Sequence, residues 1–243
     1  MISAIPILSI PICNVTLQEA RDFAFNCIAE GKAATIATAN AEMVMKAQED
    51  TALAQMLREA DLVVPDGAGV LWAAEQEGQA FKERVAGVDL ACSLLEKAAA
   101  RQTAVYFFGG AEGIADEAAA NMKQKYPGLR VVGTHSGFFT DTEEGEIIHD
   151  IRQKGTQILL VALGVPKQEK WIHDHLYELG PCVAMGVGGT FDVLAGKTCR
   201  APKWMQEHRL EWLYRLAKEP SRCIRMLALP KFVLAVKYGK KAK

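Results

Sequence analysis

Short runs of β-branched and apolar residues alternate along most of this chain with longer stretches in which apolar positions recur every three or four residues. The first kind predicts strands at 34–38, 62–64, 104–108, 130–132, 158–162 and 183–187. The second predicts helices near 41–59, 68–77, 88–100, 112–125, 143–153 and 167–179. An earlier helix opens at Thr16-Leu-Gln-Glu19, which has the spacing of a capping box, and ends near Gly31. Strands alternating with helices give an α/β fold, Rossmann-like, with a mostly parallel sheet covered by helices on both faces. From about Gly196 the strand signal stops and only helical patterning remains. The expected organisation is an α/β domain over 1–195 and a helical appendage over 196–243.

Charge sharpens that boundary. The segment 197–243 carries 13 Lys or Arg against 3 Asp or Glu, whereas the residues before it carry 15 against 26. A formal net charge of −1 conceals a tail of +10 on a body of −11. Trp204, Trp212, Tyr214, Phe232 and Tyr238 are interleaved with the tail's basic residues, a composition suited to an anionic membrane surface. A solvated basic helix pair is the plainer reading. Nucleic acid is not expected, because no recognition-helix or RNA-module pattern is present. The apolar stretch 1–12 lacks a basic leader and is broken by Pro6 and Pro11, and 226–236 is too short to cross a bilayer. A cytoplasmic protein, peripheral on the inner membrane face, is the expectation. The six cysteines show no Cys-x-x-Cys pair and read as reduced, mostly buried thiols. No metal is expected: His173 and His175 flank Asp174, but an i,i+2 pair on a helix points two ways.

The strand ends carry the candidate chemistry, since ligands of open parallel sheets bind beyond the carboxyl ends of the strands. Gly109-Gly110-Ala-Glu-Gly113 and Gly186-Val-Gly188-Gly189 place glycines before helix N-termini, where backbone N–H groups can meet a diphosphate. Tight packing explains such turns equally well, and neither is a G-x-G-x-x-G or Walker motif. Asp66 follows an apolar strand and is either a general base or the N-cap of the next helix. Thr38 and Asn40 are its neighbours if their strands adjoin. Gln168 either donates to a diphosphate or sugar or simply starts a helix, and Asp192 either binds ribose or caps a turn. Arg215, Arg222 and Arg225 can converge on a phosphate or diphosphate, for which the guanidinium fork is shaped.

Taken together, several segments resemble the WecG/TagA/CpsF family of bacterial glycosyltransferases (glycosyltransferase family 26). They are Thr38-Ala-Asn40, Ala60-Asp-Leu-Val-Val-Pro-Asp-Gly67, Arg84-Val-Ala-Gly-Val-Asp89, Phe107-Phe-Gly-Gly110 and Leu163-Gly-Val-Pro-Lys-Gln-Glu169. Gly186-Val-Gly-Gly-Thr-Phe-Asp192, Arg200-Ala-Pro and Leu210-Glu-Trp-Leu-Tyr-Arg-Leu-Ala-Lys-Glu-Pro-Ser-Arg222 complete the set, in order along nearly the whole chain.

The resemblance implies a metal-independent, inverting transfer from a UDP-sugar to a polyprenyl-diphosphate-linked sugar. For the TagA-like branch this means N-acetylmannosamine added to the 4-hydroxyl of undecaprenyl-diphospho-N-acetylglucosamine in wall teichoic acid synthesis. It implies Asp66 as base, with Thr38, Asn40 and Gln168 as active-site polar groups. Arg215, Arg222 and Arg225 would hold the acceptor diphosphate. Gly109, Gly110, Gly186, Gly188, Gly189, Asp192 and Arg84 would face the nucleotide sugar. No cofactor beyond the donor is implied. Other donors (N-acetylmannosaminuronic acid, glucose), a nucleotide-dependent oxidoreductase and a non-catalytic UDP sensor stay open on the sequence. An exposed apolar tail can also bury itself in a homo-oligomer that dissociates at the membrane.

Overall fold

The structure is a computed structural model and describes residues 2–208, 210–218 and 227–239. In chain order its elements begin with β1 (Ala4–Ile7), β2 (Ile10–Cys13), α1 (Leu17–Ala29) and β3 (Ala34–Ala39). There follow α2 (Ala41–Glu49), α3 (Thr51–Glu59), β4 (Leu62–Pro65), α4 (Ala68–Gln76) and α5 (Gly87–Arg101). The middle of the chain gives β5 (Val105–Gly109), α6 (Ile114–Lys125), β6 (Val131–His135), α7 (Asp141–Gln153) and β7 (Ile158–Ala162). The last elements are α8 (Lys167–Leu179), β8 (Val183–Gly186), α9 (Thr190–Leu194), α10 (Lys203–Glu207), α11 (Glu211–Lys218) and α12 (Ala228–Tyr238).

Six strands form one parallel sheet in the order β4-β3-β8-β7-β5-β6. Side chains alternate across it. Ile36, Val64, Phe107, Leu160 and Met185 point to the face covered by α1, α5, α6 and α9. Ala37, Val63, Phe108, Val161 and Ala184 point to the other, which is covered by α2, α3, α4, α7 and α8. Burial on both faces is why β4, β5, β7 and β8 read as apolar runs rather than alternating ones, whereas the edge strand β6 is half-buried throughout. The predicted capping box at Thr16 and Glu19 is formed, with both reciprocal bonds present.

Three features differ from the sequence expectation. The segment near 41–59 is two helices: Asp50 ends α2 and its side chain accepts from Leu53 N–H to start α3. The apolar start of the chain is a β-hairpin, β1 pairing β2 through a turn at Leu8 and Ser9, both with positive φ. The apolar run read as merely too short for a membrane span overlaps α12, which packs on α2 and α4 and buries Phe232 and Val236. Among the described residues no helix is long and apolar enough to cross a membrane.

Candidate active site

The sheet changes winding direction between β3 and β8. The helix after β3 lies on one face and the helix after β8 on the other, so their turns diverge and open a cleft. The cleft holds about 210 Å³ and is lined by Thr38, Asn40, Asp66, Gly87, Gln168, Gly188 and Asp192, among others.

One wall comes from β3 and β4. Their register pairs Thr38 with Val64 and Ala39 with Pro65, which sets Asn40 and Asp66 side by side at the strand ends. The Asp66 N–H donates to Ala39 O at 2.8 Å, and Val85 N–H donates to Pro65 O at 2.9 Å, drawing the start of α5 to the same edge. Gly87 N–H then donates to the Asp66 carboxylate at 3.3 Å. A Cβ at Gly87 would lie 3.2 Å from the Thr38 methyl, so a larger residue there would crowd Thr38. The N-cap reading of Asp66 is corrected here: Gly67 occupies the N-cap of α4 with no side-chain bond, and the Asp66 carboxylate accepts from α5 instead. Asn40 is itself the N-cap of α2, its Oδ1 accepting from Met43 N–H at 2.9 Å. What Asn40 can still offer a ligand is its amide N–H donors.

The other wall is built from the turns after β7 and β8. Gln168 is only 2% exposed and ties the turns of this wall together. Its Oε1 accepts from Gly188 N–H at 2.9 Å and Gly164 N–H at 3.2 Å, and its Nε2 donates to Glu169 Oε1 at 2.7 Å. Glu169 is buried too, and burial pushes its carboxyl up to about 7. Gly186 lies beneath this pair: an added Cβ would fall 2.6 Å from Gln168 Nε2. A Cβ at the end of β8 would therefore displace the Gln168 amide.

At the mouth, Arg200 forms a two-pronged pair with Asp89, and Glu211 at the start of α11 lies 3.3 Å from Arg84 and 3.9 Å from Arg200. These pairs fix the beginning of the basic tail beside the cleft. Arg215 falls on α11; Arg222 and Arg225 lie outside the described residues, as does Cys223. Cys199 is exposed at the cleft, contrary to the expectation of mostly buried thiols, while Cys13, Cys27 and Cys92 are partly and Cys182 fully buried.

A second, wider crevice of about 860 Å³ opens where β5 and β7 send their helices to opposite faces. Gly110, Gly137, Phe138, Lys167, Lys170 and Trp171 line it, and Asp192 borders both crevices. Gly109 is required by packing, since a Cβ there would lie 2.5 Å from the Ala162 backbone. Phe138 and Lys170 were not singled out from the sequence, although one signal was available. Lys167 and Lys170 fall in the first turn of α8, where the helix dipole disfavours cations and an anion is welcome. Phe138 is 76% exposed beside them. Among the described residues no group of three or more His, Cys, Asp or Glu side chains is placed to hold a metal ion.

A family model described as the glycosyl transferase WecG/TagA/CpsF family matches residues 5–243. The chain is 37% identical over 207 residues to the N-acetylglucosaminyldiphosphoundecaprenol N-acetyl-beta-D-mannosaminyltransferase of Bacillus spizizenii, covering 85% of this chain and 80% of that protein. It is 31% identical over 229 residues to the protein of the same description in Bacillus subtilis (strain 168), covering 94% and 89%.

Proposed function

The chain belongs to the WecG/TagA/CpsF family of glycosyltransferases, and we propose that it moves N-acetylmannosamine from UDP-N-acetylmannosamine to undecaprenyl-diphospho-N-acetylglucosamine. The step serves wall teichoic acid synthesis. The oxidoreductase and non-catalytic readings left open by the sequence give way to the family assignment.

The observation that carries the reading is the placement of Asp66 at the carboxyl end of β4, in one cleft with Thr38, Asn40 and the N-terminus of α5. Asp66 accepts the proton of the acceptor 4-hydroxyl as that oxygen attacks the anomeric carbon. The bond from that carbon to the UDP oxygen breaks on the opposite face, which inverts the configuration. Thr38 and Asn40 orient the sugars. The nucleotide diphosphate lies toward Gly110 and Gly188, where turn N–H groups together with Lys167 and Lys170 offset the charge gathering on UDP. Asp192, which borders both crevices, binds the ribose hydroxyls in this reading.

The tail supports action on a lipid-linked acceptor. Trp204, Trp212, Leu213, Leu227, Leu234 and Tyr238 are exposed among its basic residues. Such a surface favours peripheral attachment to an anionic membrane, and Arg215, Arg222 and Arg225 are the candidates for the acceptor diphosphate.

The test is UDP release from UDP-N-acetylmannosamine with a lipid-diphospho-N-acetylglucosamine acceptor. Acceptor-dependent release by the wild type, abolished in Asp66→Ala, is the expected result. Release only with a different UDP-sugar would keep the reaction class and replace the donor. Release that Asp66→Ala leaves intact would remove the base assignment.

A further inference from the structure

We propose that Glu169 is a positioning residue of the transfer reaction: it locks the amide of Gln168, and through it the Gly164 and Gly188 turns that form one wall of the cleft. The inference rests on the cleft being the transfer site. Its basis is the polarity of the contacts. Gln168 Oε1 receives two backbone N–H groups, from turns that follow two different strands. An amide rotated by half a turn would set its own N–H groups against both of these donors. It would also set its oxygen against Glu169 Oε1, which now accepts from Nε2 at 2.7 Å. The Glu169 carboxyl therefore selects the one orientation in which Gln168 can tie the turns together.

Glu169 is a poor choice if packing alone mattered. It is 7% exposed, and its Oε2 is buried with no hydrogen-bond partner among the described residues. An apolar side chain of similar size would carry no such penalty. Burial pushes the carboxyl up to about 7, partly opposed by the Gln168 bond and by Lys46 on α2. The other ionisable groups around the hollow next to it are Glu59 on α3, Asp61 before β4, and His173 and Tyr177 on α8 itself. In its acid form Glu169 carries the proton on Oε2 and still accepts through Oε1, so the lock holds in either form. Gly186 completes the device, because a Cβ there would lie 2.6 Å from Gln168 Nε2 and 3.1 Å from Glu169 Oε1.

The full-length protein is compared with Glu169→Gln, Glu169→Met and Gly186→Ala. Two readouts are used: hydrogen exchange of peptides covering 163–168 and 186–190, and steady-state transfer kinetics. The Met variant should exchange faster in both peptides and lose about 10- to 100-fold in kcat, the penalty for a misplaced wall. Its melting temperature should not fall in proportion. The Ala variant should show the same pattern by pushing Gln168 from beneath. The Gln variant, whose amide oxygen can accept the same bond, should keep wild-type exchange and kcat. Unchanged exchange at both turns with wild-type kcat in the Met variant would overturn the proposal. So would a Gln variant that keeps normal exchange yet loses kcat, since Glu169 would then act chemically rather than by position. If the wild type transfers no sugar, the proposed reaction fails, and the exchange data still decide whether Glu169 holds the turns.

Discussion

The two walls of the cleft treat a carboxylate in opposite ways. On the β3–β4 side Asp66 lines the open space and takes one backbone N–H from α5. On the β7–β8 side Glu169 is buried behind Gln168. One wall exposes its acid to a ligand, whereas the other hides its acid to fix the backbone. The difference teaches that proximity to a cleft does not assign a role. What each oxygen bonds to does.

The comparison breaks most visibly if Asp66 can be neutralised without loss. Asp66→Asn keeps the shape and one acceptor oxygen but removes the base, so kcat should fall by about 10²- to 10⁴-fold, equivalent to about 3–5 kcal/mol of barrier. Thermal stability should change little, and a melting curve beside the kinetic assay separates the two effects.

Glu169→Gln should do the reverse, in a way that depends on pH. The folded-state carboxyl titrates near 7 against an ordinary value of 4.5, so between those values the folded protein holds a proton that the unfolded chain lacks. Stability contributed by the acid form is therefore present at low pH, declines as pH rises toward 7, and levels off above it. The Gln variant should lack this decline and gain up to about 3 kcal/mol over the wild type above pH 7, on the scale of the burial cost. Denaturant titrations at pH 5 and pH 8 measure it. A wild type whose stability is flat between those values would show that Glu169 is better solvated than its burial indicates.

Asn40→Ala sharpens the contrast because Asn40 serves both ends. Loss of the cap on α2 should cost about 1 kcal/mol of stability. Loss of its amide donors should lower kcat as well, so both assays should move together. The smallest effect belongs to the mouth, where Glu211→Gln removes the ion pair to Arg84. That pair is only partly buried, and its loss should cost less than about 1 kcal/mol. A larger loss would show that the start of the tail contributes to the stability of the cleft.

Much of the sheet was legible because strands buried on both faces are written as apolar runs, and 158–162 matches β7 to the residue. The hairpin was not. Its turn residues, Leu8 and Ser9, adopt positive φ without the glycine or asparagine that would announce such a turn, and Pro6 pairs with Pro11 where prolines argue against strands. The break at Asp50 was hidden by continuous helical periodicity on both sides of a single capping residue. In the site, Asp66 was legible from its position after an apolar strand, whereas its partner Gly87 depends on a contact 21 residues away. Burial of Glu169 was illegible because charged residues in a first helical turn ordinarily face solvent.

The hairpin and α12 belong to one and the same core. Ile5, Ile7, Ile10 and Ile12 pack in a single cluster with Phe232 and Val236, across the helices that follow β3 and β4. On the ribosome that cluster cannot close until Phe232 has been made, although the hairpin isoleucines emerge long before it. The nascent protein therefore carries an open apolar flank from the hairpin until α12 is made, and that flank is the region exposed to misassembly in the interval.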